Sequence, residues 1–300
     1  MSPLSDELSL LRPLIPTFFS MAEAYKPRSH RKSDTTPVTD IDKRIEELIS
    51  KTILQAYPTD KILGEELSAR EKMRDGRLWV VDPICGTFNL VNGILWFNTN
   101  IALFENQRPV FALVVDYARK TYYWSTRVKS AVYEEERLLK SKLTATIKGI
   151  VCIDVGYLQV DLNQLSDKRR TYAQMVSDIV AAGFELVSNY SSLSFTYAAL
   201  GKYGSMVLTQ LKPWDLAAAC FLMEQNGGVV TDWGGKPWGS TTSDVVGSSN
   251  LPSPTLLPQY QTSQTGRYGV LDHVEYSPLW RTIHPRSPES NSGSPHPAPS

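Results

Sequence analysis

Cysteine is scarce in this chain: Cys85, Cys152 and Cys220 are odd in number and follow no repeating spacing. That excludes a disulfide-stapled scaffold and points to a reduced, cytoplasmic setting. Net charge is missing as well, because 31 basic residues balance 31 acidic ones over 300 residues. Without a global basic field, a nucleic-acid partner is not expected. No uninterrupted apolar run is long enough to span a bilayer, so no membrane partner is expected either. Residues 8–19 are apolar, but Asp6 and Glu7 precede them and Pro13 and Pro16 interrupt them. They read as an early helix packed on the body, not as a targeting segment. The four histidines (His30, His273, His284, His296) form no metal-ligand pattern.

What the chain does have is core-forming material: 42% of its residues are hydrophobic, enough for one large domain or two ordinary ones. Ile41, Ile45, Leu48, Ile49 and Ile53 recur at helical spacing, which predicts a helix over 40–56 capped by Thr39 or Asp40 and ended at Tyr57-Pro58. Short β-branched and aromatic runs predict strands at 61–63 and 78–81, then an antiparallel series at 99–104, 110–116, 121–125 and 131–134. The second half alternates strand and helix: strands at 149–154, 185–188, 205–208 and 229–232, helices at 171–182 and 193–200. An amphipathic helix over 214–225 is expected to stop at Gly227-Gly228. The fold class is therefore α/β with an α+β N-terminal half, divided near the Lys- and Thr-rich stretch 140–148. That gives domains over 1–145 and 146–275. A Pro/Ser-rich tail over 276–300, with almost nothing to bury from Ser287 onward, is expected to be disordered.

Chemistry concentrates in three places, each an acid at a strand end or a helix start. They are Glu65 in Gly64-Glu65-Glu66, Asp82 in Trp79-Val80-Val81-Asp82-Pro83-Ile84-Cys85-Gly86-Thr87-Phe88-Asn89, and Asp215 in Pro213-Trp214-Asp215. Magnesium takes carboxylates together with phosphate oxygens and water, so convergence of the three would make a metal site. Singly each has an ordinary explanation: Asp215 as a helix cap, Asp82 as a turn former, Glu65-Glu66 as a solvated pair. Gly86-Thr87 opens a helix where backbone N–H groups can approach an anion. Asn89 is placed to hydrogen-bond within that loop.

Taken together, these segments resemble the inositol monophosphatase family of metal-dependent phosphomonoesterases. Four elements stand in family order: Pro37-Val38-Thr39-Asp40-Ile41-Asp42, then Gly64-Glu65-Glu66, then residues 79–89, then residues 211–218 with 224–228. The resemblance implies a layered αβαβα sandwich of the sugar-phosphatase type with Mg2+ as cofactor. It also implies Glu65, Asp82, the Ile84 carbonyl and Asp215 as metal ligands. Glu65 and Thr87 match the pair that activates the attacking water, with Asp42 in support. Gly86, Thr87 and Asp215 match the substrate-binding positions. A small phosphorylated metabolite, inositol monophosphate by default, is the implied substrate, and a homodimer the implied assembly. Residues 34–39, 121–124 and 190–193 resemble the histidinol-phosphatase-like branch.

Two positions depart from the family pattern. Cys85 stands where the family has an aspartate, replacing a hard anionic ligand with a soft, ordinarily neutral thiol. Turnover is then expected to be impaired. Leu208 stands seven residues before Asp215, where an acid contacting substrate hydroxyls is usual. The competing reading is a catalytically dead member that binds a phosphorylated ligand or a protein.

Overall fold

The computed structural model describes residues 5–26, 29–31, 37–69, 71–72, 75–139, 150–155, 173, 176–181 and 183–249. All of these fall within one compact unit, Met1–Ser253. The expected domain boundary at 140–148 and the tail over 276–300 lie outside the described residues.

The apolar N-terminal segment becomes two helices, α1 (Asp6–Leu11) and α2 (Ile15–Glu23), joined by a 3-10 turn at Arg12–Leu14. Pro13 and Pro16 sit at the first turns of the elements they enter, where the missing N–H costs nothing. After the short pair β1 (Ser29–Arg31) and β2 (Pro37–Thr39), helix α3 spans Asp40–Ala56 as the spacing predicts. Thr39 and Asp42 cap it reciprocally, satisfying donors that the helix leaves open. Leu8, Leu11, Ile15 and Phe18 from the first two helices meet Ile41, Ile45, Ile49 and Ile53 of α3 in one core. Each such side chain, fully buried, contributes about 1.5–3 kcal/mol.

That core lies on one face of a seven-stranded sheet. Its strands run in sequence order: β3 (Lys61–Gly64), β4 (Arg77–Cys85), β5 (Asn98–Glu105), β6 (Arg108–Asp116), β7 (Thr121–Thr126), β8 (Ala131–Glu134) and β9 (Arg137–Leu138). β3 pairs parallel with β4, and every later neighbour is antiparallel. The short helix α4 (Thr87–Val91) interrupts the run after β4.

The second sheet holds β10 (Ile150–Val155), β11 (Glu185–Val187), β12 (Ser205–Thr209), β13 (Val229–Asp232) and β14 (Val245–Ser248) in the order β11-β10-β12-β14-β13. β10 pairs parallel with β11 and β12, while β14 is antiparallel to both its neighbours. The pattern at 245–248 is too short to announce β14. It forms because all four residues are buried between strands already in place. The helix expected over 171–182 is described at 173 and 176–181.

Helices α5 (Leu193–Ala199) and α6 (Pro213–Gln225) complete the layers. α6 is not amphipathic as expected: Leu216 through Met223 are all buried. It packs against β4–β8 on one side and β13 and β14 on the other, and a helix covered on both sides is apolar all round. Among the described residues, α1–α3, the first sheet, α5–α6 and the second sheet follow one another as layers of a mixed α/β fold. Among the described residues, no helix is long and apolar enough to cross a membrane. The three cysteines are buried and unpaired.

Candidate active site

β4 carries its apolar run straight into the site. Asp82 lies opposite Asn100 of β5, the register shifts, and Cys85 then pairs with Asn98. Chain reversal follows at Gly86, whose φ of +101° is a left-handed conformation that favours glycine. A Cβ there would stand 3.0 Å from the Ser191 Cβ and 3.1 Å from the Trp96 carbonyl oxygen. The glycine is thus required twice, by its dihedral and by the closeness of its neighbours. In α4 the Asn89 and Leu90 N–H groups bond the Gly86 carbonyl at 2.8 and 3.1 Å, which leaves the Thr87 and Phe88 N–H groups at the start of the helix without an intrahelical acceptor. Asn89 holds the turn from below, donating to the carbonyls of Trp96 and Asn189 at 2.7 Å each. Its partners are more distant in sequence than the local role expected of it.

The acidic positions named from sequence converge here. The ligating atoms of Asp82, Cys85 and Asp215 lie within 4.8 Å of one another. Asp82 is fully buried, and among the described residues neither carboxylate oxygen has a hydrogen-bond partner of good geometry; the adjacent Cys85 thiol is a weak, poorly aligned donor to it. Burial, then the charges of Glu65 and Asp215, push its carboxyl well above the usual range. Asp215 is pushed up to about 7, by burial first and Glu65 second. One of its oxygens accepts the Lys212 N–H at 2.9 Å, so it also caps α6. The cap and the site reading are therefore compatible.

Glu65 follows β3, its N–H bonded to the Val81 carbonyl at 3.1 Å. Its charge bears on Asp42, Asp82 and Asp215 alike, which puts it in the same cluster. Asp42, raised to about 6 chiefly by burial, accepts from the Thr39 N–H at 3.0 Å and from the Thr39 hydroxyl. The Thr87 hydroxyl lies 2.9 Å from an Asp42 oxygen and 2.9 Å from the Ile84 carbonyl oxygen. Its single proton serves one at a time, and giving it to Asp42 leaves the Ile84 carbonyl free.

Cys85 is buried, and its thiol is pushed well above its ordinary range by burial and by Asp82 and Asp215. It is held as a neutral S–H. The sulfur accepts the Ser192 N–H at 3.2 Å and lies 3.9 Å from an Asp215 oxygen.

Glu46 was not singled out from sequence. This fully buried acid on α3 accepts from the Glu66 N–H at 2.7 Å and the Leu67 N–H at 3.0 Å, fixing the turn that presents Glu65. A Cβ on Gly64 would overlap its carboxylate at 1.9 Å. The signal was available: Asp42 and Glu46 lie four apart, on the same buried face as Ile45 and Ile49. Ser191 and Ser192 also belong here, bonding Cys85 and the buried amides of Asn98 and Asn100. Leu208 is fully buried in the core between the sheets and offers the site no polar group.

A cation fits the donors present. A buried carboxylate whose two oxygens lack donors of good geometry, beside two further acids, is costly without one. Residues 17–265 match the family model described as the inositol monophosphatase family.

The chain belongs to the inositol monophosphatase family.

An inositol monophosphatase of Dictyostelium discoideum is 31% identical over 217 residues, 71% of this chain and 79% of that protein. The Nus factor SuhB of Pseudomonas aeruginosa PAO1 is 32% identical over 202 residues, 66% and 73% of the two chains. Among solved structures, a Thermotoga maritima inositol monophosphatase superposes with a TM-score of 0.69 at 22% identity, covering 82% of this chain and 93% of that one. An IMPase/NADP phosphatase complexed with Mg2+ and phosphate gives 0.69 at 21% identity, over 86% and 94%. At these identities the superpositions establish the fold. Membership of the inositol monophosphatase family makes the protein a phosphatase by class.

Proposed function

We propose that this phosphatase is a magnesium-dependent phosphomonoesterase acting on a small phosphorylated metabolite, with turnover held down by Cys85. The observation that carries the reading is Asp82, whose two buried oxygens lack partners of good geometry between Asp215 and Glu65. Glu65, Asp82, the Ile84 carbonyl and Asp215 would hold Mg2+. Bound there, the ion would supply charge neutralisation for the phosphate and a lowered pKa for water. Glu65 and Thr87 would orient and activate the attacking water, with Asp42 in support: by accepting the hydrogen bond of the Thr87 hydroxyl it leaves the Thr87 oxygen free to accept one from that water. The backbone N–H groups of Gly86 and Thr87 would receive phosphate oxygens, with Asp215 facing the substrate. On this reading residues 1–145 supply Glu65, Asp82 and Thr87, and the half from residue 146 supplies Asp215. The free cysteines fit a cytoplasmic protein. Inositol monophosphate is the nominal substrate, although Leu208 gives a polyol no polar contact.

Cys85 limits the site for a physical reason. A neutral thiol between two acids adds neither charge nor a hard oxygen donor, and its sulfur is already bonded to the Ser192 N–H. The Cys85→Asp protein should release phosphate from a panel of esters at least about tenfold faster at saturating magnesium, roughly 1.4 kcal/mol of barrier. No gain would show that Cys85 is not what limits the site. The satisfied sulfur also favours a second reading, a binding role, in line with relatives named as Nus factors. That reading requires no turnover in either protein and a partner complex retained when Asp82 is replaced.

A further inference from the structure

At the far end of α6 from Asp215 lies a cavity of about 360 Å3, lined by Arg119, Tyr123, Glu134, Arg137, Lys202 and Asn226 among others. Asn226 caps the C-terminus of α6, so at about 1.5 Å of rise per residue the cavity is roughly 16 Å along the helix from the acidic site. We propose that it is a second, anion-binding site that takes a small phosphate-bearing molecule. The proposal does not depend on the phosphatase reading.

Charge imbalance carries the argument. Three cations line the cavity against one acid, Glu134, and that acid is shared by both arginines: Arg119 reaches it at 3.0 Å and Arg137 also pairs with it. Arg119 further donates to the Tyr123 hydroxyl at 2.7 Å. Lys202 has no carboxylate within 4.0 Å among the described residues. Its ammonium lies 3.9 Å from the centroid of the Tyr197 ring and 5.6 Å from that of Tyr123. The acid whose charge bears on it is Asp116, already engaged by the Tyr197 hydroxyl at 2.9 Å, the Tyr123 hydroxyl at 3.4 Å and the Arg119 backbone N–H at 3.0 Å. An ammonium beside a like-charged guanidinium in a concave, half-buried setting is unfavourable alone. Burial and Arg119 accordingly pull Lys202 down to about 8, against the opposing effect of Asp116.

A phosphate-bearing anion fits these groups because it matches both kinds of donor. The arginine forks bind phosphate oxygens through paired N–H groups, and the ammonium serves as a point charge. The aromatic walls hold Lys202 in place by cation–π contact, which positions the charge before any ligand arrives.

The test is calorimetric titration of the full chain with inorganic pyrophosphate in EDTA, where metal-dependent binding at the acidic site is silent. Wild type should bind one pyrophosphate. Lys202→Met, which keeps an unbranched apolar stem over the rings, should lose at least about tenfold in affinity. Lys202→Arg, which keeps the charge, should stay within about threefold of wild type. Asp82→Asn should bind as wild type does. Absence of binding by wild type overturns the proposal, as does an unchanged Lys202→Met. So does an equal loss in Lys202→Arg, which would mark a packing role, or a loss in Asp82→Asn, which would place the ligand in the acidic site. Thermal melts of each variant, read by circular dichroism, confirm that the protein titrated is folded.

Discussion

Asp82 and Asp116 are both fully buried aspartates on the seven-stranded sheet, in β4 and at the end of β6. Asp116 is surrounded by donors: two tyrosine hydroxyls and a backbone N–H reach it. Asp82 has no donor of good geometry among the described residues, only the weak Cys85 thiol beside it, and its charged neighbours are acids. The contrast separates two uses of a buried carboxylate. Where the protein supplies the donors, the group is part of the framework, and removing it strands its partners. Where the protein supplies only like charge, the group is incomplete without an external cation, and removing it relieves the apo fold. Burial alone does not distinguish a structural acid from a functional one; the donor census does.

The largest effect expected from this contrast is on turnover. Asp82→Asn should lower magnesium-dependent phosphate release by about a thousandfold or more, roughly 4 kcal/mol. In EDTA the same variant should be more stable to urea than wild type, by about 1–2 kcal/mol, because a neutral amide ends the repulsion with Glu65 and Asp215. Magnesium should then raise the melting temperature of wild type but not of the variant. An apo variant less stable than wild type would break the comparison. Asp116→Ala should behave oppositely, losing about 3 kcal/mol in urea with or without magnesium, since buried hydroxyls lose their acceptor. A cost below about 1 kcal/mol would mean those donors find other partners easily.

Much of this was legible in the chain. Ile41, Ile45, Ile49 and Ile53 defined α3 by spacing, and the alternating runs defined the antiparallel strands, because each element buries one face and periodicity records which. α6 was misjudged for the complementary reason. Its apolar residues cover all sides because sheets pack against both of its faces, and no local pattern reports a second covering layer. The acids of the site were visible as strand-end and helix-start positions, and their convergence came from motif order. Glu46 shares the buried face of Asp42, Ile45 and Ile49, so its burial was legible from spacing, but its role was not, because the Glu66 and Leu67 N–H groups it accepts from lie on a turn twenty residues away. The cavity around Lys202 draws on β7, β8, β9, the turn before β7 and the ends of α5 and α6. No contiguous stretch of sequence encodes it.

Lys202 offers the cationic counterpart to Asp82 and the smallest of these effects. Burial and the Arg119 guanidinium pull its ammonium down from an ordinary 10.5 to about 8. Between these values the unfolded chain binds more protons than the folded one, so stability due to this group rises with pH across that window. Below pH 8 both states are charged and the whole penalty of burying the ammonium stands. The titratable groups facing it do not interfere: Tyr123 is pushed up to about 12 and Tyr197 higher still, while Arg119 keeps its charge throughout. In phosphate-free buffer, wild type should therefore gain stability relative to Lys202→Met between pH 8 and 10.5, by about 1 kcal/mol once its partial solvent exposure is allowed for. Urea melts at closely spaced pH values would show it. A flat difference would mean that Lys202 meets no such penalty. A gain that disappears on adding pyrophosphate would show that an anion supplies the missing charge at this end of α6, as a cation would at the other.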